Sequence, residues 1–455
     1  MTDKEYIIEL QGIIAQQGQQ IKLLEEKVSF LMEQIQRLSV KKDSHNSSIA
    51  PSTDIFNKKN KSLRTKSLLK TGGQPGHKGS TLEMSTRPNE IIELRSDYCT
   101  SCGVDLKAET FVLQTKRQVI DLPPIVPIYT EYQQYSCKCS GCGYKQTASF
   151  PADVKAPIQY GSSVKTLVSY LSVYQSMPYY RLKMMFSQVF SLPLSQGTVD
   201  NILHRVALKC EVVYEHIKAE ISKSSVIGSD ETGAKVNGKK WWIWVWQNIT
   251  TTFIIASDNR GYKTIETFFA QGFVNATLIS DRWAAQLKTF TKGKQICLAH
   301  LLRELVYLIE SEKNEFSTEF KTLIGTVFDL KKQQLVDSKA CTVDDPRGVL
   351  MENKLNELLS KVIDAKKHPK TTVFQLSMIK CRGYLLPCIY DLAIPADNNA
   401  SERAIRIIKV KQKVSGQFKT GQHAFCVIRS VIDTLIKRNL EVVYHLNKII
   451  SLQPE

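Results

Sequence analysis

The sequence predicts an α+β multidomain protein in which smaller N-terminal segments precede a larger α/β domain. Three observations carry this expectation: a heptad-spaced N-terminal helix, two Cys-x2-Cys pairs between Cys99 and Cys142, and short alternating strands interrupted by helices after residue 224. The expected order is a coiled-coil oligomerisation helix at 1–42, a basic flexible arm at 43–90 and a zinc-binding domain at 91–150. A helical region follows at 151–223, then an α/β domain at 224–455 with a helical insertion at about 301–390.

At 455 residues the chain can bury a proper core in at least one domain. Its 42% hydrophobic and 23% charged residues are ordinary for a globular protein, whereas its net charge of +17 is not. Such an excess repels itself unless a polyanion offsets it, which implies nucleic acid or an anionic membrane as partner. No apolar run reaches the roughly 18 residues of a membrane span, and the polar N-terminus lacks a signal-peptide core. Nucleic acid and a cytoplasmic location are therefore expected. The cysteine count is odd, 11, and five of them crowd between Cys99 and Cys142. That pattern suits reduced thiols, with the cluster holding metal rather than disulfides.

In the N-terminal segment, Ile7, Leu10, Ile14, Gln17, Ile21, Leu24, Val28, Leu31, Ile35 and Leu38 alternate steps of three and four. Sustained over about five heptads, this is a coiled-coil seam, and its β-branched a-type and mostly leucine d-type positions favour two parallel strands. A helix packed on its own domain is the competing reading, and Gly12 and Gly18 weaken the first half. Between Lys41 and Pro88 the periodicity vanishes and Lys and Arg far outnumber Asp and Glu. The segment fits an arm that follows a phosphate backbone as well as it fits a solvated linker.

Cys99-x2-Cys102 and Cys139-x2-Cys142 lie 36 residues apart, and both pairs end in Cys-Gly, the tight knuckle that points two thiolates at one ion. Four sulfurs at this spacing suit structural, tetrahedral zinc. The β-rich spacer fits a zinc ribbon, and Cys137 could replace Cys139. Residues 160–222 are expected to be helical. Within them "LSQGTVDNILHRV", with Ser195 or Thr198 as cap, fits the second half of a helix-turn-helix or an ordinary helical hairpin.

Beyond residue 224, "SSVIGSD", "KKWWIWVWQN" and "TTFIIASD" read as a three-strand meander. A helix at "YKTIETFFA", a strand at "ATLISD" and a strand at "QICLAH" follow. This is the order of a ribonuclease H-like sheet, with "SSVIGSD" ending in acid and "ATLISD" lying beside it. Such a sheet would bring Asp230 and Asp281 together, and Glu402, opening a basic helix, can pack across their ends. Three carboxylates from separate segments suit phosphodiester chemistry with two Mg²⁺ ions about 3.5–4 Å apart. Each acid also has a plainer role. Asp230 and Asp281 can form turns, and Asn399 with Glu402 can form a capping box, with Glu402 also pairing with Arg406. From Glu402 onward, Arg406, Lys409 and Lys413 share one helix face by steps of three and four, a candidate DNA-binding face.

Several longer motifs recur together in one family. "DSHNSSIAPSTD", "GGQPGHKGSTLE", the paired knuckles, "SDETG", "ISDRWAA", "CLAHLLREL" and "DNNASERAIRIIKVKQKVSGQFKTGQHA" resemble, in this order, the insertion-sequence 66 transposases, from about Leu24 to Leu440. The resemblance implies a DNA transposase with a ribonuclease H-like core that cuts and joins the ends of its mobile element. By motif, the family's catalytic, Mg²⁺-binding acids fall on Asp230, Asp281 and Glu402. Cys297-x2-His300 resembles the Cys-x2-His that follows the second acid in several eukaryotic transposase groups, which makes His300 a candidate DNA contact. The chain has Arg282-Trp283 where the family more often has Gly-Tyr. Expected partners are double-stranded DNA, a second copy of the chain in a homodimer or higher oligomer, and helper proteins from the same element. A DNA-binding repressor descended from a transposase and a nuclease without strand transfer are the rival functions.

Overall fold

A computed structural model describes residues 3–40, 42, 46–47, 76 and 82–452. Most of the expected basic arm, including Lys58–Lys70, lies outside the described residues. The chain divides into two units, Leu63–Tyr129 and the remainder, and each is described by itself.

In the smaller unit, Cys99 opens a tight knuckle. The Cys99 N–H donates to the Val104 carbonyl and the Gly103 N–H donates to the Cys99 carbonyl, both at 2.8 Å. Gly103 sits at φ +75°, where a side chain would be strained. The stretch expected as ribbon strands forms none between residues 108 and 129. Pro123, Pro124 and Pro127 remove three ladder donors there.

The larger unit begins with α1 (Asp3–Ser39), one unbroken helix despite Gly12 and Gly18. Its seam is uncovered: Leu10, Ile14, Ile21, Leu24, Val28, Leu31 and Ile35 are each at least 40% exposed. Just beyond it, Lys42 lies over the Tyr307 ring and the Asn46 amide donates to Glu310. A hairpin of β1 (Ser136–Lys138) and β2 (Lys145–Thr147) frames a second knuckle of the same form. There the Cys139 N–H reaches the Tyr144 carbonyl, the Gly143 N–H reaches the Cys139 carbonyl, and Gly143 stands at φ +74°. Cys137 lies on β1, outside this turn.

Next come α2 (Ser162–Ser169), a π-helical turn at Tyr170–Tyr174, α3 (Tyr179–Phe190) and α4 (Gln196–Lys223). Ser195 caps α4, its hydroxyl accepting from the Thr198 N–H at 3.0 Å.

A five-stranded mixed sheet forms the centre of this unit: β3 (Val226–Val236), β4 (Lys239–Gln247), β5 (Thr252–Ser257), β6 (Phe273–Ser280) and β7 (Thr291–Ile296), in the order β5-β4-β3-β6-β7. The first three form the antiparallel meander, and β6 and β7 add in parallel beside β3. Short helices α5 (Tyr262–Phe268) and α6 (Ala284–Lys288) bracket β6. The first strand does not end at Asp230. Continuous pairing with Lys239–Val245 carries it six residues further, to Val236. Ile243 and Val245 are as deeply buried as Trp244 and Trp246, so both faces of β4 are covered.

After β7 the chain forms a helical lobe: α7 (Leu298–Glu312), α8 (Glu315–Asp337), α9 (Pro346–Ser360), α10 (Pro369–Lys380) and α11 (Pro387–Tyr390). The lobe has its own core around Leu301, Leu305, Phe320 and Phe374, which meets the sheet at Ile279 and Ile296, with Val226 packed against it. The chain then returns through α12 (Asn399–Ser415), α13 (Gln422–Lys437) and α14 (Val442–Leu452). Helix α13 covers the edge strand β5, whose outward N–H groups at Thr252 and Ile254 donate to the hydroxyls of Thr434 and Ser430. This removes an edge that would otherwise invite another strand.

Candidate active site

The strand register brings the first two acids together. β3 and β6 pair in parallel through Gly228 and Ile279 and then diverge. Asp230 and Asp281, each two residues further on, therefore face one another across the parting strands. The third acid arrives because Gly228 has no side chain. A Cβ there would stand 2.7 Å from the Asn398 Oδ1 and 2.8 Å from the Ser401 Oγ. That space lets the start of α12 dock on β3, where the Asn398 amide donates to the Ser229 carbonyl at 2.7 Å and Ser401 donates to Asn398. The Asn398 N–H also donates to the Cys297 Sγ at 3.2 Å, which ties α12 to the entrance of α7.

The capping box expected at Asn399 and Glu402 does not form, because Asn398 occupies the cap position and its side chain is committed to β3. Nor does Glu402 pair with Arg406. Its Oε1 accepts instead from Arg303 Nη2 at 2.7 Å and lies 3.5 Å from His300 Nε2. Arg303 stands one helical turn beyond His300 on α7, so both reach the same oxygen. Glu231, on the opposite face of β3 from Asp230, is buried and takes two bonds from Arg260, at 3.0 and 2.8 Å. Arg260 is stacked on Trp283 (3.7 Å) and Trp242 (4.6 Å), and Trp283 donates its backbone N–H to Asp281 Oδ1 at 2.9 Å. Arg282 turns the other way, into the lobe, donating to Ser377 and pairing with Glu304.

The charges do not balance. Glu231 and Glu402 each have a guanidinium partner. Asp230 and Asp281 have no cationic partner among the described residues, and each accepts a backbone N–H, from Glu231 and Trp283 respectively. Burial, followed by the charges of Glu231 and Asp281, pushes the Asp230 pKa well above the ordinary carboxylate range. Burial and Asp281 also raise that of Glu231, against the pull of Arg260. Burial and Arg303 lower the His300 pKa, against Glu402 and Asp281. Among the described residues, no three His, Cys, Asp or Glu side chains are grouped so that they could hold a metal ion as they stand.

Of the expected DNA-binding face, Arg406 and Lys413 are exposed. Lys409 is half-buried and donates to the Gly233 carbonyl at 2.9 Å. The basic stretch does not continue as one helix, since it breaks at Gly416, and Lys411 and Arg429 turn inward. Sequence reasoning missed Gly228, Asn398, Arg260 and Arg303. The signals were present, in a glycine before the acid and in the first asparagine of "DNNASER", but only the fold shows what they meet.

In the cysteine knuckles, backbone N–H groups of Cys102 and Ser101 lower the Cys99 pKa, and those of Cys142 and Gly141 lower that of Cys139. Each knuckle by itself favours the thiolate, the form that binds zinc.

A mixed sheet of this order, with acids where its central parallel strands part, is the ribonuclease H-like architecture of nucleic-acid-processing enzymes. The profile of the transposase IS66 family matches residues 157–425, more than half of the chain and a span that includes Asp230, Asp281 and Glu402. The chain belongs to that family of transposases. Among curated proteins none matches it. Membership makes it a DNA-binding, DNA-processing enzyme of transposition, and among the described residues no helix is long and apolar enough to cross a membrane.

Proposed function

We propose that the protein cleaves DNA at the ends of its mobile element and joins those ends to target DNA, using Asp230, Asp281 and Glu402 as ligands for Mg²⁺. The observation that carries this reading is the pair of carboxylates at Asp230 and Asp281, which accept backbone N–H groups and have no cationic ion-pair partner among the described residues. Two uncompensated negative charges in a partly dry cleft suit a divalent cation, and hard carboxylate oxygens suit Mg²⁺. Bound there, two such ions would supply Lewis-acid stabilisation of the attacking and leaving oxygens. The chain's own residues do the positioning. Arg303 and His300 restrain Glu402 through one oxygen, Oε1. Arg260 neutralises Glu231, and Trp283 holds Asp281 through its backbone N–H.

DNA contacts belong to the same proposal. Arg406 and Lys413 are free to meet phosphates, while Lys409 and His300 have polar atoms already engaged by Gly233 and Glu402. The exposed seam of α1 is proposed to pair with a second copy, which suits a reaction that holds two DNA ends at once. Structural zinc on the thiolates of Cys99, Cys102, Cys139 and Cys142 completes the reading, supported by the form of each knuckle. Asp230→Asn, Asp281→Asn and Glu402→Gln should each abolish cleavage and joining of a duplex carrying the element's end while leaving duplex binding nearly intact. Normal cleavage by Glu402→Gln would return that residue to a purely structural role.

A further inference from the structure

The sequence around the turn between β3 and β4 is Lys235-Val236-Asn237-Gly238-Lys239-Lys240. Asn237 and Gly238 take φ of +46° and +74°, the backbone that a two-residue hairpin turn requires. Three lysines therefore crowd around one tip, and all three are exposed. The chain adds a fourth. After α12 ends at Gly416, the following loop closes onto the tip through main-chain bonds. The Asn237 N–H donates to the Phe418 carbonyl at 2.7 Å, the Phe418 N–H to the Lys235 carbonyl at 2.9 Å, and the Gly238 N–H to Gln417 Oε1 at 2.7 Å. Phe418 is buried against Phe425, which fixes the loop and leaves Lys419 exposed beside the hairpin. Lys419 also lines a cleft of about 450 Å³ with His204 of α4 and His423 of α13.

Lys235, Lys239 and Lys419 have no carboxylate partner among the described residues, and Lys240 lies over the Trp242 ring, 5.0 Å from its centre. Of the acids around the cleft that Lys419 lines, Asp200 lies 3.6 Å from His204 and Glu211 lies 3.7 Å from His423, and neither pairs with a lysine of the tip among the described residues. A solvated lysine is common. Four held together by a built loop contact, without an acid among them, repel one another unless a polyanion lies across them.

The distance from this tip to the acids is set twice over. Along β3, the six residues from Asp230 to Val236 span about 20 Å at roughly 3.3 Å each. Along α12, the 13 residues from Glu402 to Ser415 span about 20 Å at 1.5 Å each. The two elements lie side by side, pinned by Lys409 on Gly233, so both rulers run from the acids to the tip. Arg406 and Lys413 lie exposed along the way.

We infer that the β3–β4 tip, with Lys419, is a second contact for the phosphate backbone of duplex DNA, about six base pairs from the acid cluster at roughly 3.4 Å per pair. The inference rests on the reading that DNA is cut at the acids for its spacing, but not for the contact itself. The contact is tested with the full-length protein and a 40-base-pair duplex by measuring affinity against salt concentration. Replacing Lys235, Lys239 and Lys419 together by Ala should lower the slope of log affinity against log salt by roughly 2–3 units, about 0.9 for each phosphate no longer neutralised. The triple Arg replacement should keep the wild-type slope, which separates missing charge from a disturbed hairpin. Asp230→Asn should keep it too. An unchanged slope in the Ala variant overturns the contact, as would a reduced slope in the Arg variant. The spacing is tested with a photo-crosslinking residue at Lys239 in the Asp230→Asn background. Crosslinks should centre about six base pairs from the phosphate that the wild-type protein cuts in the same duplex. Crosslinks beside the cut phosphate, or more than a helical turn away, overturn the spacing. A wild-type protein that never cuts the duplex overturns the catalytic reading, and the salt slope still decides the contact.

Discussion

Replacing Asp230 by Asn should raise the stability of the cation-free protein and remove its response to divalent cations. The charges of Glu231, Asp281 and Glu402 all bear on Asp230, and Arg260 and Arg303 offset only those of Glu231 and Glu402. Burial and its acidic neighbours raise the Asp230 pKa in the folded chain. A raised folded pKa means that the native state holds a proton the unfolded state has released. Stability of the cation-free protein should therefore fall as pH climbs from the ordinary carboxylate range, about 4, through the raised native value, and the full penalty persists above it. Asn keeps the shape and drops the charge, so that slope should flatten. A bound cation works the other way. At about 100 times its dissociation constant it contributes about 2.7 kcal/mol, which for a domain of roughly 150–250 residues is a rise of about 5–10 °C in melting temperature. Calorimetric melts of both proteins between pH 5 and 8, with and without Mg²⁺ or Mn²⁺, measure both effects. Equal cation-induced shifts in the two proteins would refute Asp230 as a ligand. An Asn variant no more stable than wild type above pH 7 without cation would refute the uncompensated charge on which the proposed function stands.

Four further outcomes follow from the same structure. In Mn²⁺ titrations without DNA, Glu402→Gln and Arg303→Met should each weaken binding, the Arg303 change by about 10–100-fold as for other residues that orient a ligand. The double variant should be no weaker than Glu402→Gln, and Arg303→Lys should recover part of the affinity; additive effects would show that Arg303 does not act through Glu402. Glu231→Gln should keep the cation-induced rise in melting temperature while lowering the melting temperature itself, because Arg260 loses its buried counter-charge. Purified protein should contain zinc that Cys102→Ser diminishes, and unchanged zinc in that variant would remove the first knuckle from the proposal. Deleting residues 1–40 should halve the mass seen in sedimentation if the α1 seam pairs two chains, whereas the same mass multiple in both forms would place the association elsewhere.

Much of this architecture was legible because its signals are local. Alternation around Trp242, Trp244 and Trp246 fixed a strand, and acids at the ends of "SSVIGSD" and "ATLISD" fixed which strands must neighbour one another for the acids to meet. Local signals failed wherever a distant partner decided the outcome. β3 reads as if it stops at Asp230, since Gly233 and Lys235 weaken the strand pattern, but pairing with β4 carries it through. "NNASER" reads as a capping box, and satisfies that pattern in isolation, but the Ser229 carbonyl takes the Asn398 side chain and Arg303 takes the Glu402 carboxylate. Arg282 and Trp283 stand after the second acid where the family more often has Gly-Tyr. In the fold they hold it, one anchored in the helical lobe and the other on Arg260. The loop after Asp281 is thus fastened to both cores. A motion of the lobe relative to the sheet would reach Asp281 and, through Arg303 on α7, Glu402, so the geometry of the two acids depends on how the lobe packs.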